Sequence, residues 1–210
     1  MAIEYPLSLP TTIGMAKIEL RAVNAVALSR SPFTFSSQVH AYSGQMWQAD
    51  VSIPPVRKDL AESWVAFLLS LQGQKGTFLM GDPNNATPRG IAGQGLVGSP
   101  LVNGSNQTGG TLNIIGASRN KTGSLLAGDY IQIGQGSSAK LHKVLQDVNT
   151  GNLGEAAIEL WPHMRTAPAN GTLIIVSDTK GLFRLSSNEV SWSINELNAY
   201  GITFGAVEAL

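Results

Sequence analysis

Hydrophobic and polar positions alternate every second residue along most of this chain. Ala16, Ile18, Leu20 and Ala22 alternate with Lys17, Glu19 and Arg21. Phe33, Phe35, Val39 and Ala41 share one parity, and Trp47, Ala49, Val51 and Ile53 alternate with Gln48, Asp50 and Ser52. The pattern predicts strands with one buried face and one wet face, the last of them stopped by Pro54-Pro55. One segment breaks the period. Over Val56 to Leu71, Leu60, Trp64, Leu68 and Leu71 fall at helical spacing, with Arg57, Lys58, Asp59 and Glu62 on the other side. This predicts an amphipathic helix of about four turns, with Gly73 as its C-terminal cap. Gly76 to Gly81 returns to a strand.

Asp82 to Ser99 is rich in Pro, Asn and Gly and reads as a loop that crosses between domains. Beyond it, short strands are expected at Thr111–Ile115, Tyr130–Ile133, Leu141–Val148, Ala156–Trp161 and Leu173–Val176, separated by Gly128-Asp129, Asn149 to Asn152 and Asn170-Gly171. Closely spaced short strands of this kind predict a small barrel of the OB or SH3 type. The opening style then resumes in Leu182 to Leu185, in Val190, Trp192 and Ile194, and in Ile202 to Val207. The expected fold is therefore mainly β. Residues 1–94 and 177–210 are expected to form a discontinuous β-sandwich with one flanking helix at about 56–72. Residues 95–176 form the inserted small β-barrel.

Composition narrows the function classes. Of 210 residues only 13% are charged, against roughly 25% in an ordinary soluble domain, and Lys plus Arg equals Asp plus Glu at 14 each. No stretch is basic enough for a nucleic-acid footprint. Cysteine is absent, which excludes disulfide frameworks, thiolate metal sites and cysteine nucleophiles. With 43% hydrophobic residues the chain is not of disordered type. Sparse charge and zero net charge suit a surface largely covered by partners. Met1 to Pro10 carries neither the positive region nor the apolar core of a signal peptide. Sequons at Asn85, Asn103, Asn106, Asn120 and Asn170 therefore read as by-products of polar loops.

Candidate chemistry is thin. His40, His142 and His163 form no metal-ligand or catalytic spacing. Asp82-Pro-Asn-Asn lacks the spacing and terminal Glu of a calcium loop and reads as a capped turn. Gly90 to Gly95 is followed by neither a GK[ST] nor a helix signal. No GxSxG is present, and Glu155 and Glu159 straddle a strand rather than forming an acid pair. Trp47, Trp64 and Trp192 lie on apolar parities and are expected in the core, while Trp161 beside Pro162 and His163 is the one candidate exposed contact. The sequence assigns no catalytic, cofactor-binding or metal residue, and it does not read as an enzyme.

Several stretches together carry a resemblance. They are the run from Trp47 through the lone helix to Gly76-Thr-Phe-Leu-Met-Gly-Asp-Pro and Pro88-Arg-Gly, then Val102-Asn-Gly with Leu126-Ala-Gly-Asp-Tyr-Ile-Gln-Ile-Gly, and finally Leu160-Trp-Pro-His-Met-Arg165 ahead of Pro168 with the Trp-bearing C-terminal strand. They resemble the distal tail proteins, also called minor tail or baseplate proteins, of long-tailed phages with non-contractile tails. The resemblance implies that the sandwich with its flanking helix is tail-tube-like and that the chain is a virion structural protein of the tail tip, made in the host cytoplasm. It implies a hexameric ring joining the tail tube protein to the baseplate hub, with the tape measure protein and then DNA passing through the lumen and no membrane insertion. Lumens of this kind tend to be acidic, and here Asp50 and Glu196 are the local candidates. Strands around Met15–Val23 and the loops Asp82–Ser99 and Gly104–Gly110 are the expected interface material. The alternative reading is a carbohydrate-binding β-barrel module on a tail or cell-surface assembly, with Trp161 as its exposed aromatic.

Overall fold

The early alternation becomes a pair of very long antiparallel strands. After the short β1 (Leu7–Ser8), β2 (Lys17–Arg30) pairs with β3 (Ser37–Arg57) from Lys17↔Ser52 to Arg30↔Ser37. The computed structural model describes residues 3–196 and 198–210 and is mainly β, with one α-helix. That helix, α1 (Lys58–Ser70), follows β3 directly. β4 (Phe78–Met80), β11 (Gly181–Leu185), β12 (Trp192–Ile194) and β13 (Ala199–Glu208) complete a seven-stranded sheet of order β1-β4-β11-β13-β3-β2, with β12 also on β13. The sheet curves into a half-barrel. Its inward positions Trp47, Ala49, Val51 and Ile53 meet Ile202 and Ala206, and α1 lays Trp64, Val65, Phe67 and Leu68 over them. Rings pack edge to face there, Phe67 on Phe78 at 5.6 Å and Phe78 on Phe204 at 6.2 Å. Each such pair adds about 0.5–1.5 kcal/mol beyond its buried area.

The second sheet is built from β5 (Gly98–Val102), β6 (Gly109–Ala117), β7 (Tyr130–Ile133), β8 (Lys140–Val144), β9 (Ala156–Met164) and β10 (Ile174–Ile175) in the order β10-β7-β8-β9-β6-β5. Its two ends meet. Leu101 bridges Leu173, and Val102 and the Gly171–Thr172 backbone exchange bonds of 2.9 Å, so the barrel nearly closes. Closure removes the exposed edges that an open sheet of this size would leave. Leu112, Ile131, Ile158 and Leu160 fill a separate core. The first sheet thus draws its strands from residues 7–80 and 181–208, and the second from 98–175. At the crossing, Gly81 lies against the Thr179 carbonyl with no room for a Cβ, so the two connecting segments run in backbone contact.

Several expected details differ. β3 does not stop at Pro54-Pro55 but continues to Arg57. There β2 has already ended, and the register against β13 slips between Ile202 and Tyr200, so the prolines sit at a bulge where their missing N–H groups are not needed. The helix begins at Lys58, Leu60 stays partly exposed, and the left-handed turn after the helix falls on both Gln72 and Gly73 rather than on Gly73 alone. β5, not among the expected strands, begins at the end of the expected Asp82–Ser99 loop and runs to Val102. β8 ends at Val144 instead of Val148, because the chain turns and Asp147 accepts the Ala127 N–H at 2.8 Å. β9 runs on through Pro162 to Met164. Trp192, expected in the core, is 38% exposed on β12.

Candidate functional site

The largest departure from the expected pattern lies in the outer half of β2 and β3. Past Asn24↔Gln45 the register breaks, and the ladder resumes from Val26↔Ala41 to Arg30↔Ser37. From Asn24 to Gly44 every residue is exposed except the half-buried Ser31. Beyond their base at Asn24 and Gly44 the two strands therefore project as an arm whose side chains no other described part of the chain buries. Leu28 is 66% exposed, Val39 65% and the tip residue Phe33 92%. Phe33, Phe35, Val39 and Ala41, expected on a buried face, are all uncovered. Strand alternation reports that a face is apolar, but not that the same chain supplies its cover.

The arm is nonetheless ordered by local bonds. Ser31 N–H donates to Ser36 O at 2.9 Å, Phe35 N–H donates to Ser31 O at 3.0 Å, and the Arg30 guanidinium lies 5.7 Å from the Phe35 ring centre. His40 meets Tyr42 edge to face at 4.5 Å. From Leu20 to Ala49 there is no carboxylate, and Arg21 and Arg30 are the lysine-or-arginine charges. Among the described residues β2 pairs only with β3, so its other edge is open. An open edge and uncovered apolar side chains are both features that a soluble protein normally hides.

The arm's base is clamped to the second sheet. Trp161 Nε1–H donates to Asn24 Oδ1 at 2.8 Å, and His163 N–H donates to Gln45 Oε1 at 2.7 Å. Trp161 stands edge to face on Trp47 at 4.5 Å, Trp47 Nε1–H donates to Leu141 O at 3.0 Å, and Tyr130 closes the cluster 6.0 Å from Trp47. Trp161 is thus half-buried in the seam between the sheets, not a free contact on the barrel. Beside it Arg165 reaches Glu208 at 3.4 Å, and Glu208 also accepts the Trp47 N–H at 3.1 Å.

The histidines lie in different settings. His40 is on the arm. His142 is buried and bonds Pro162 O through Nδ1 at 2.7 Å, and burial lowers its pKa to about 4, so it is neutral at pH 7. His163 is exposed. His142 and His163 line one cavity of about 90 Å³ with Glu208, but the Glu208 carboxylate is engaged by the Trp47 N–H and by Arg165. Burial also lowers the pKa of the nearby Lys140, whose ammonium donates to Ala209 O at 2.8 Å. Glu155 and Glu159 bind local partners, the Leu153 N–H and the Thr111 hydroxyl. Among the described residues no group of three or more His, Cys, Asp or Glu is placed to hold a metal ion.

The long loops expected at an interface are tied to their own chain. Asp82 caps a short turn by accepting Asn84 N–H at 3.0 Å. Asp129, fully buried, accepts Arg89 N–H at 3.0 Å, Arg89 Nε–H at 3.3 Å, Gly90 N–H at 3.4 Å and Leu126 N–H at 2.8 Å. Pro88-Arg-Gly and Leu126-Ala-Gly-Asp-Tyr, far apart in sequence, are therefore one unit in space. Between Gly104 and Gly110 the Gln107 amide bonds Asn103 O at 3.0 Å and Asn113 N–H at 2.7 Å, folding that loop onto β6. The sequence marks Asp129 only as part of a turn with Gly128, since its burial depends on Arg89 and Gly90 about 40 residues earlier; nothing local marks Asn24.

No family model and no curated protein matches this chain. Among the described residues no helix is long and apolar enough to cross a membrane.

Proposed function

We propose that this chain is a structural subunit of the tail tip of a long-tailed phage with a non-contractile tail. Copies close into a ring, six in number, between the tail tube and the baseplate hub, and the opening passes the tape measure protein and then DNA. The observation that carries this reading is the arm: paired strands from Asn24 to Gly44 with apolar side chains uncovered and an open β2 edge. Leaving a Leu, Val or Phe exposed forgoes about 1.5–3 kcal/mol of burial each, which association of copies recovers. A contact between different surfaces of identical subunits closes into a ring when its rotation permits. The sparse, balanced charge fits the same reading, because copies packed side by side need little mutual repulsion.

The saccharide-binding alternative rested on Trp161, whose indole N–H is engaged by Asn24 and whose ring packs on Trp47. Electron microscopy of tails containing the chain tests the proposal. Density for it on the tail axis with six-fold or three-fold symmetry is the expected result, and an off-axis position or any other symmetry overturns it.

A further inference from the structure

The arm leaves a second question, which is where its aromatic tip goes. We infer that the tip of one copy's arm, carrying Phe33 and Phe35, seats in the groove at the base of a neighbouring copy's arm. The inference rests on the ring reading above and specifies the contact that builds it. The groove has a volume of about 650 Å³ and lies between the two sheets. Val23, Ala25 and Met46 form one wall, and Gly109 and Met164 the other. Aliphatic and thioether groups make up much of its surface, interrupted by the polar Ser43, Gln45, Thr108, His163 and Arg165; the methionines suit phenyl rings, since methionine adapts its shape and makes favourable contacts with ring edges. Each tip phenylalanine has about 150–250 Å² to bury.

The arm cannot fill its own groove. Seven residues of paired ladder separate Val23 from Arg30, and at about 3.3 Å per residue the turn that carries the tip stands roughly 23 Å away. A lipid bilayer is a poor occupant for the tip, because the open edge of β2 would carry unpaired N–H and C=O groups into hydrocarbon. A polypeptide can pair that edge. The chain itself supplies one tip and one groove, so head-to-tail contact between copies uses every tip and every groove once the ring closes. Charge does not oppose it, because Arg165 at the groove is offset by Glu208, and the arm's Arg30 already rests over Phe35.

The chain has no cysteine, which makes the contact directly testable. An affinity-tagged Phe33→Cys protein is mixed with an untagged Thr108→Cys protein, Thr108 also lining the groove. The mixture is oxidised, and assembly is followed by light scattering. The expected result is a disulfide-linked pair of one tagged and one untagged copy, absent when either variant is replaced by wild type. In parallel, Phe33→Ser with Phe35→Ser raises the concentration for half-assembly at least tenfold. Assemblies that form without this cross-link overturn the tip-in-groove contact and leave the ring reading standing. Monomers at every concentration, alone and with tail tube protein, overturn both. Wild-type binding to phosphatidylglycerol vesicles that the double serine variant loses assigns the tip to lipid and overturns the contact.

Discussion

Two buried titratable side chains show how differently a polar residue can be held. Asp129 is enclosed by four N–H groups, a fully satisfied acceptor that organises the turn on which Arg89 and Gly90 sit. His142 bonds Pro162 O, and burial, helped by the nearby Arg165 and Lys140 cations, holds its pKa at about 4. The pH consequence follows in sign. An unfolded histidine takes a proton near pH 6.5, whereas the folded one resists until about 4. Between those values the unfolded chain alone gains a proton, so stability falls as pH falls, by about 3 kcal/mol in full from this residue. Above pH 6.5 both states are neutral and the effect vanishes. Urea unfolding from pH 7.5 to 4 is expected to show this loss, and the difference between wild type and His142→Gln isolates it from the carboxylates. A difference that stays constant with pH would contradict the burial argument.

At the scale of elements, the β2–β3 pair serves two purposes along one ladder. Its inner half, from Ile18 and Val51 to Ala22 and Trp47, supports the core. Its outer half supports nothing in this chain. The division falls at the register break beside Asn24, the point where Trp161 and Gln45 fasten the strands to the second sheet. Arm substitutions should therefore separate stability from assembly. Phe33→Ser with Phe35→Ser is expected to leave the monomer's unfolding free energy within about 0.5 kcal/mol of wild type, as for exposed sites in general. Chemical denaturation at a concentration too low for assembly measures it, and a loss above about 2 kcal/mol would show that the tip packs within its own chain.

For the whole molecule, two cores share one seam. Each sheet has its own buried cluster, and the Trp47–Trp161–Tyr130 group with the Arg165–Glu208 pair joins them. The Leu182 N–H to Ala139 O, Lys180 N–H to Gln132 Oε1 and Lys140 to Ala209 O bonds also cross between the sheets, so the seam's share of the coupling is what a tryptophan deletion measures. Trp161→Ala removes a ring contact and the bond to Asn24, a cost of about 2–4 kcal/mol given the half-buried site. Calorimetry of the variant is expected to resolve two transitions where wild type gives one. A single transition at a lower temperature would mean that the remaining bonds between the sheets couple them sufficiently.

The sequence by itself determined the mainly β class, the lone helix and the positions of most strands, because periods of two and 3.6 are written in neighbouring residues. It also made plain how little charge the surface carries. Position relative to distant segments was decided only by the tertiary structure. Phe33, Phe35 and Val39 have the pattern of a buried face and lie bare, since cover depends on what folds over a strand. Trp161 and Trp192 exchanged their expected roles for the same reason, one drawn into a seam by Asn24, 137 residues away, and the other left on a short outer strand. Pro54-Pro55 reads locally as a stop, yet a bulge against β13 makes it part of a strand. Periodicity records which side of an element is apolar; only the packed chain shows whether that side is filled from within or left for another molecule.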